Sequence, residues 1–338
     1  MTAVSVKDVA KLAGVAIGTV SNVLNHPERV SEPTIARVRD AIDKLGFVRN
    51  DAARQLRAGS SRAIGLVMLD ARNPFFNDVS RGAEAAAADA GFAVIVGNSD
   101  EDSDREAGYL DLFEQQRLHG LLISPVGEVG PRLRRLREHG TPAVLVDRLS
   151  KDTSFSSVAV DDVEGGRLAV AHLVGAGRRR IAYLGGPPSL RQVADRLAGA
   201  RYAIGESDVS IETIPTEALT VAEGAAAARA IAARQASDRP DAVFAANDLL
   251  AIGALQALTA AGIRVPHEIA LVGYDDIAFA SALTVPLTSV RQPAELIGAT
   301  ALGILLDEAA DPALEPRQVQ FTPQLVVRDS SRSESFRE

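Results

Sequence analysis

The stretch that most constrains this chain is Val6–Asn25, which reads VKDVAKLAGVAIGTVSNVLN. Apolar residues recur at helical spacing on both sides of Gly14, which predicts two short amphipathic helices. Gly14 can adopt the left-handed backbone that ends a helix sharply, and the small Ala10 lets the two helices pack closely. Two helices joined in this way form a helix-turn-helix, whose second helix enters the major groove of DNA. The alternative is an unrelated pair of amphipathic helices, which the joint spacing of these features disfavours.

The charge of the chain is unevenly distributed. The 338 residues carry a net charge of −8, which by itself argues against a nucleic-acid partner. Residues 1–60, however, contain nine Lys and Arg residues against six Asp and Glu residues. A mildly basic N-terminal part on an acidic body suits a protein that contacts phosphate with that part alone.

Composition narrows the class of protein further. Hydrophobic residues make up 46% of the chain, which supports a sizeable core in two or three domains and disfavours disorder. The absence of cysteine excludes disulfides and cysteine-ligated zinc. We see no apolar signal region and no apolar run of the roughly 18 residues that a membrane helix needs. We therefore expect a cytoplasmic protein with no membrane partner.

Several polar side chains near the predicted second helix can contact DNA. Thr19 and Ser21 can donate hydrogen bonds to phosphates, and Asn22 can form a bidentate pair with adenine. A solvated polar residue is the alternative interpretation of Asn22. Ser5 is a suitable N-cap for the first helix, whereas Ala16 has no side-chain oxygen with which to cap the second.

A third helix and a short basic segment follow. The third helix is predicted to start near Ser31 and to end at Gly46. The segment Asn50–Gly59, NDAARQLRAG, is rich in helix formers and includes Arg54. An isolated helix of this length is marginal in water, so DNA could order it. Leu56 could wedge between base steps in the minor groove, and an ordinary linker with a stray leucine is an equally good interpretation from spacing alone.

From Arg62 onwards, short apolar runs alternate with helix-like segments. This rhythm predicts βαβ units in the α/β class, with parallel sheets that helices cover on both faces. The rhythm extends over two stretches of similar length, so two α/β lobes are expected. We predict one final strand over Gln318–Val327.

The motifs together resemble the LacI/GalR family of bacterial transcription regulators over essentially the whole sequence. The N-terminal motif is DVAKLAGVAIGTVSNVLN, followed by RVSEPTIARVRDAIDKLGFVRN and ARQLRAG. The later motifs are GLVMLDARNPFF, VDDVEGGRLAVAHLVGAGRRRIAYLGGP, DRLAGAR, VFAANDLLAIGALQAL and IALVGYDD. The resemblance implies an all-α helix-turn-helix headpiece, a hinge helix and a two-lobed core like that of periplasmic binding proteins.

The resemblance also implies domain boundaries. The headpiece would span 1–49, and the hinge helix with its linker 50–61. The core would exchange chain between its lobes three times. Its N-subdomain would comprise 62–160 and 289–322, and its C-subdomain 161–288 and 323–338.

Carried over by position, the family's DNA contacts fall on residues of the headpiece and hinge. Base contacts fall on Ile17, Gly18 and Asn22, and phosphate contacts on Thr19, Ser21, Asn25, Ser31 and Asn50. Leu56, with Ala53 beside it, falls at the minor-groove wedge, and we add Ser5 and Arg54 as DNA-binding candidates. The family often has serine at position 16 and arginine at position 22, so the resemblance implies DNA binding without implying which operator is bound.

The effector site is expected between the lobes, beyond the carboxyl ends of the strands. The residues that match family cleft positions are Asn73, Phe75, Phe76, Asp147, Arg148, Arg196, Asn247 and Asp275. Phe can stack on a sugar ring, and Arg, Asp and Asn can hydrogen-bond its hydroxyls. A helix cap or a salt bridge is the alternative role for each, most of all for Asp147 and Arg148. Leu219 falls near a position that is often aromatic.

The function implied is a repressor of carbohydrate-related genes. A homodimer would bind a near-palindromic operator, and a sugar-like effector would change the orientation of the lobes without any cofactor or metal. A corepressor-dependent regulator with a non-sugar effector is the alternative. An α/β enzyme with an added head is disfavoured because G-x-G-x-x-G, P-loop and G-x-S-x-G motifs and metal-ligand histidine spacing are absent. The headpiece and the missing signal region disfavour a sugar-transport protein.

Overall fold

The computed structural model describes residues 4–47, 61–149, 154–187 and 190–332. The chain divides into two compact units, Met1–Ser60 and Ser61–Glu338. The hinge candidates Asn50, Ala53, Arg54 and Leu56 lie outside the described residues. No helix among the described residues is long and apolar enough to cross a membrane.

The N-terminal unit contains three helices around a small apolar core. They are α1 (Val6–Ala13), α2 (Ile17–Asn25) and α3 (Glu32–Leu45). The predicted helix ends at Gly14 and Gly46 are confirmed, since both glycines are left-handed with φ values of 67° and 60°. Val9, Val20 and Val38 are fully buried between the helices. The apolar spacing in the sequence therefore arises from one shared core.

The second unit is an alternation of strands and helices. Its strands are β1 (Ala63–Met68), β2 (Ala93–Asn98), β3 (Gly120–Ile123), β4 (Ala143–Val146), β5 (Ser157–Val160), β6 (Arg180–Gly185), β7 (Ser210–Pro215), β8 (Ala242–Ala245), β9 (Ala270–Asp275), β10 (Thr288–Arg291), β11 (Gln318–Phe321) and β12 (Gln324–Val326). Its helices are α4 (Pro74–Asp89), α5 (Ser103–Gln115), α6 (Gly130–Glu138), α7 (Asp162–Gly175), α8 (Arg191–Ile204), α9 (Val221–Ala232), α10 (Asp248–Ala260) and α11 (Ala294–Ala310).

The strands form two six-stranded sheets, each the centre of one lobe. The first sheet has the order β11-β5-β4-β3-β1-β2, and the second has the order β12-β10-β9-β8-β6-β7. Neighbouring strands are parallel throughout, except that β12 is antiparallel to β10. The inner strands are buried along their whole length, because helices cover both faces of each sheet.

The chain crosses between the lobes three times: after β5, between β10 and α11, and between β11 and β12. The predicted boundary between the lobes at residue 289 is wrong, because it falls inside β10, which belongs to the second sheet. Ser289, Val290 and Arg291 pair with β9 in the second sheet, so the chain returns to the first lobe only after Arg291. The single final strand predicted over Gln318–Val327 is in fact two strands, one in each sheet.

Strands β5 and β10 were not predicted, because each is only four residues long and begins with a polar residue. Their hydroxyl groups are satisfied inside the sheet. Ser157 donates to the side chain of Gln318, and Thr288 donates to the carbonyl of Arg328 at 3.0 Å. From the sequence alone, polar residues at such positions indicate a loop. In the structure they belong to buried strands, because partners inside the sheet satisfy their hydrogen bonds.

Helices pack on each lobe at glycines. A Cβ atom on Gly166 of α7 would stand 1.9 Å from the carbonyl oxygen of Arg196 on α8, and a Cβ on Gly199 of α8 would lie 1.8 Å from a carbonyl of α7. The same reciprocal contact joins α4 and α11 at Gly82 and Gly298. Any side chain at these positions would force the helix axes apart.

Candidate functional site

A small cavity lies between the two lobes, at the carboxyl ends of the strands. Seven of the eight predicted effector residues line it: Asn73, Phe75, Phe76, Asp147, Arg196, Asn247 and Asp275. The remaining lining residues are Leu69, Leu190, Gln192, Val193 and Leu219. These residues were predicted to share one site although some are far apart in the sequence. Asn73 and Asp275, for example, are about 200 positions apart.

Two asparagines of the cavity are also helix caps, as the alternative interpretation held. Asn73 Oδ1 accepts the backbone N–H of Phe75 at 3.1 Å at the start of α4. Asn247 Oδ1 accepts the N–H of Leu250 at 2.9 Å at the start of α10. Capping fixes each amide in one orientation, so that the Nδ2 groups lie in the cleft.

The aromatic residues Phe75 and Phe76 open α4 and are both buried. Their ring centroids are 5.0 Å apart at 72°, an edge-to-face arrangement that holds both rings in place. Leu219 lies on the wall contributed by the second lobe. Stacking on a ligand is therefore available from the first lobe only.

Among the residues that the structure describes, Arg196 is the only cationic side chain lining the cavity. Its Nε donates to Asp162 at 2.8 Å, and its Nη1 donates to the carbonyl of Ala246 at 2.6 Å. The guanidinium lies 3.6 Å from the centroid of the Tyr274 ring, and Nη1 is 3.9 Å from Asp275. Stacking and pairing together hold the plane of the guanidinium in one orientation.

Asp275 receives hydrogen bonds from two side-chain amides. Asn73 Nδ2 donates to Oδ2 at 2.8 Å, and Gln292 Nε2 donates to Oδ1 at 2.8 Å. Burial raises the pKa of Asp275 to about 6, against the opposing effect of the positive charge on Arg196. Sequence reasoning missed Gln292; its position directly after β10 was the signal, but β10 itself was not predicted.

Asp147 follows β4 and is 97% buried, since only 3% of it is exposed. Gln192 Nε2 donates to its carbonyl oxygen at 2.9 Å and to Oδ2 at 3.0 Å. Oδ1 is buried and has no hydrogen-bond partner within the described residues. Burial raises the pKa of Asp147 to about 8, and the nearby Asp162 carboxylate adds to the rise. Sequence reasoning also missed Gln192.

The structure does not bring Arg148 into the cavity. Its guanidinium donates to Glu128 at 2.6 Å and to the carbonyl of Gly127, both of which lie on the loop after β3. Arg148 lines a second hollow instead, beside the crossing from β5 to α7. The left-handed backbone of Asp147, with a φ of 58°, turns the chain so that these adjacent side chains point to different places.

Side-chain hydrogen bonds connect the lobes across the cleft. Asn73 donates to Asp275, and Gln192 donates to both the carbonyl oxygen and Oδ2 of Asp147. Glu101, which follows β2 on the first lobe, faces the backbone of Leu219 on the second lobe. Burial raises the pKa of Glu101 to about 7, and the negative charge of Asp70 adds to this shift. These contacts close the cleft around its cavity.

In the headpiece, the residues predicted to read DNA lie on one face of α2. Val20 and Val23 point into the core, and the opposite face exposes Gly18 and Asn22. Ile17, at the start of the same helix, is 48% exposed. An exposed apolar group beside Asn22 suits the base edges of a major groove, where thymine presents a methyl group.

The remaining headpiece candidates differ in how they are held. Asn25 Nδ2 donates to the carbonyl of Ser21 at 2.8 Å, and Thr19 and Ser21 are half-buried. The Ser5 N–H donates to Asp8 at 2.9 Å, and Ser31 shares a hydrogen bond with Thr34. Ser5, Asn25 and Ser31 are exposed, so they are available to phosphates.

Comparisons with known proteins agree with this architecture. The family model described as "Bacterial regulatory proteins, lacI family" matches residues 5–50, and that described as "Periplasmic binding protein-like domain" matches residues 170–331. The ribose operon repressor of Escherichia coli strain K12 is 33% identical over 330 residues, which cover 97% of this chain and 99% of the relative.

Two solved structures are similar over nearly the whole chain. The transcriptional regulator CelR in complex with cellobiose has 33% identity and a TM-score of 0.70, and the match covers 97% of this chain and 99% of that one. The lac repressor dimer bound to operator and the anti-inducer ONPF has 28% identity and a TM-score of 0.84, with 98% and 100% coverage.

A helix-turn-helix headpiece joined to a two-lobed α/β core with a closed polar cleft defines an effector-controlled DNA-binding protein. The chain belongs to the LacI family of bacterial regulatory proteins. It is a DNA-binding transcriptional repressor with a small-molecule effector.

Proposed function

We propose that the effector is a neutral monosaccharide and that the regulated genes serve carbohydrate use. The cavity supports this best, because it combines two aromatic rings with convergent amide, carboxyl and guanidinium groups. Rings of this kind pack on the apolar face of a sugar, and the polar groups match its hydroxyls. The protein would act as a regulator and not as an enzyme.

The aromatic residues of the cavity favour a single sugar ring. Phe75 and Phe76 both belong to the first lobe, and the second lobe contributes Leu219 opposite them, so one ring face can stack in this site. D-ribose is the first candidate, since one relative of this chain is a ribose operon repressor.

The charges of the cavity favour an uncharged ligand. Arg196 is already paired with Asp162, while the carboxyl groups of Asp147 and Asp275 also line the cavity. A phosphorylated sugar would bring a further negative charge into a buried site with excess carboxylates, which is unfavourable. We therefore propose discrimination against sugar phosphates.

We also propose that the protein acts as a homodimer on a near-palindromic operator, with Leu56 and Ala53 at the minor groove, Asn50 at a phosphate and Arg54 as a further DNA contact. The edge strand β2 supports a dimer, because Ile95 and Val96 are 45% and 40% exposed. An exposed apolar edge strand is a template for pairing with another chain, and a second copy of the protein could cover it. The exposed face of α2 supports base contacts through Ile17, Gly18 and Asn22.

The test is operator binding, measured by fluorescence anisotropy with duplexes selected from a random pool. The salt concentration is held fixed, because phosphate contacts make the affinity strongly salt-dependent. We expect D-ribose to weaken operator binding, and cellobiose and D-ribose 5-phosphate to have no effect at the same concentration. Isothermal calorimetry then measures sugar binding without DNA.

Asn22→Ala is the matched control, since it should weaken operator binding at one base position by about 1–3 kcal/mol and leave sugar binding unchanged. A sugar that tightens operator binding would show a corepressor-dependent regulator instead. If no selected duplex binds specifically, the DNA-binding assignment fails. If duplexes bind but no neutral sugar binds the core, the effector proposal alone fails.

A further inference from the structure

The buried charges around the cleft do not balance. Asp147, Asp162 and Asp275 surround a single cation, Arg196, and none of the four is more than 8% exposed. A fourth carboxyl group, Asp248, is fully buried behind Asp275. Carboxylates that share one cation in a dry site cannot all ionise at moderate cost, so at least one of them takes up a proton.

Among the described residues, Asp147 and Asp248 are the two carboxyl groups of this set without a cationic partner, and of the two only Asp147 lines the cavity. Arg196 donates its hydrogen bonds to Asp162 and to the carbonyl oxygen of Ala246. Arg148, the next residue, extends away to Glu128. The group that does contact the Asp147 carboxyl is the neutral amide of Gln192, and the charged groups that face it are Asp162, Arg196 and Asp275.

The two oxygens of Asp147 also differ in a way that fits a carboxylic acid. Oδ2 accepts a hydrogen bond from Gln192 Nε2, whereas Oδ1 is buried in the cavity wall without a partner among the described residues. A buried polar atom without a partner is costly unless a ligand satisfies it. An O–H on Oδ1 would serve a ligand oxygen as a donor, while Oδ2 continues to accept.

We propose that Asp147 is a neutral carboxylic acid at physiological pH and donates a hydrogen bond from Oδ1 to an oxygen of the effector, which makes it a specificity-determining residue. This proposal rests on the proposed neutral sugar effector. A hydrogen-bond donor at this position would favour the binding of ligands that place a hydroxyl or ring oxygen next to Oδ1. Burial, which raises the pKa of Asp147 to about 8, is consistent with this state.

Asp147→Asn is the decisive variant. An amide reproduces the pattern of a protonated carboxyl group, since its oxygen can accept from Gln192 and its Nδ2 can donate to the ligand. Asparagine also tolerates the left-handed backbone at this position, where φ is 58°. The variant is therefore expected to fold, which thermal unfolding checks.

The first measurement is D-ribose affinity by calorimetry between pH 6 and pH 9.5. For the wild type we expect constant affinity up to about pH 8 and then a loss that approaches about tenfold per pH unit, because binding requires the proton. Asp147→Asn should bind D-ribose within about threefold of the wild type at pH 7, with no loss at high pH. Glu101→Gln, at another carboxyl group whose pKa burial raises, to about 7, should retain the loss.

A second measurement needs no ligand. In the infrared difference spectrum of wild type minus Asp147→Asn at pH 7, we expect the carbonyl band of a protonated carboxylic acid. A carboxylate band in its place would overturn the proposal. A loss of affinity beyond tenfold in folded Asp147→Asn, or a loss at high pH that disappears in Glu101→Gln, would overturn it as well. Failure of D-ribose and every other neutral sugar to bind would contradict only the proposed effector, while the infrared result still decides the state of Asp147.

Discussion

Arg196 holds a central place in the cleft because four different groups fix its side chain. Asp162, the carbonyl of Ala246, the ring of Tyr274 and Asp275 all lie within 3.9 Å of the guanidinium. A lysine could replace the charge of Arg196 but could not stack on Tyr274 while donating in two directions.

Replacing Arg196 with methionine should therefore abolish sugar binding and destabilise the core. We expect a loss of about 3–5 kcal/mol in the free energy of unfolding, because Asp162 is left buried without its partner. The double variant Arg196→Met/Asp162→Asn should recover part of this loss without recovering sugar binding. Urea unfolding with and without D-ribose measures both, and equal stability of the single and double variants would contradict the explanation.

For single residues, the sequence predicted which ones lie at the cleft better than it predicted where their side chains point. Asn73, Arg196, Asn247 and Asp275 could be placed in the cleft, since residues after strand ends converge there. The direction of Arg148 could not be predicted, because it depends on the left-handed turn at Asp147 and on the position of Glu128.

At the scale of elements, close helix crossings set the geometry of the cleft. Gly166 allows α7 to contact the backbone of α8 at Arg196 itself, which brings that residue to Asp162 on the facing helix. The sequence showed where these helices begin and end but not which glycines face another helix. That distinction depends on packing between distant segments, which helical periodicity does not report.

Two glycines on α11 provide a matched test of this packing. A Cβ at Gly298 would lie 1.9 Å from the carbonyl oxygen of Val79, whereas Gly303 has nothing within 4 Å. We expect Gly298→Ala to cost about 1–3 kcal/mol or more through overpacking, and Gly303→Ala to gain up to about 1 kcal/mol through helix propensity. Thermal unfolding of both variants measures the difference, and a neutral Gly298→Ala would contradict the close crossing.

On the scale of the whole molecule, three chain crossings make each lobe incomplete without the other. The first sheet needs β11 and the second needs β12, and both of these strands come from the part of the chain that follows β10. Neither lobe is one continuous segment. The sequence predicted this exchange by resemblance only, since short strands such as β5 and β10 carry too few residues for a periodic signal.

We therefore expect the core, Ser61–Glu338, to unfold in a single calorimetric transition. D-ribose at a hundred times its dissociation constant should raise the free energy of unfolding of the core by about 2.7 kcal/mol, since the sugar binds only the folded form. The headpiece has its own apolar core and should melt without this shift. Two separate core transitions, only one of them shifted, would show that the lobes fold independently.

The matching strand orders of the two sheets have one more consequence. The core contains one structural unit twice, as an internal duplication would produce, and Asp147 after β4 has its counterpart in Asp275 at the end of β9. The copies differ at the position of Arg196 on α8, because the residue at the same distance from the start of α4 is Val79. This broken symmetry gives the ligand two unlike walls, so that a small, nearly symmetrical molecule can be bound in one orientation only.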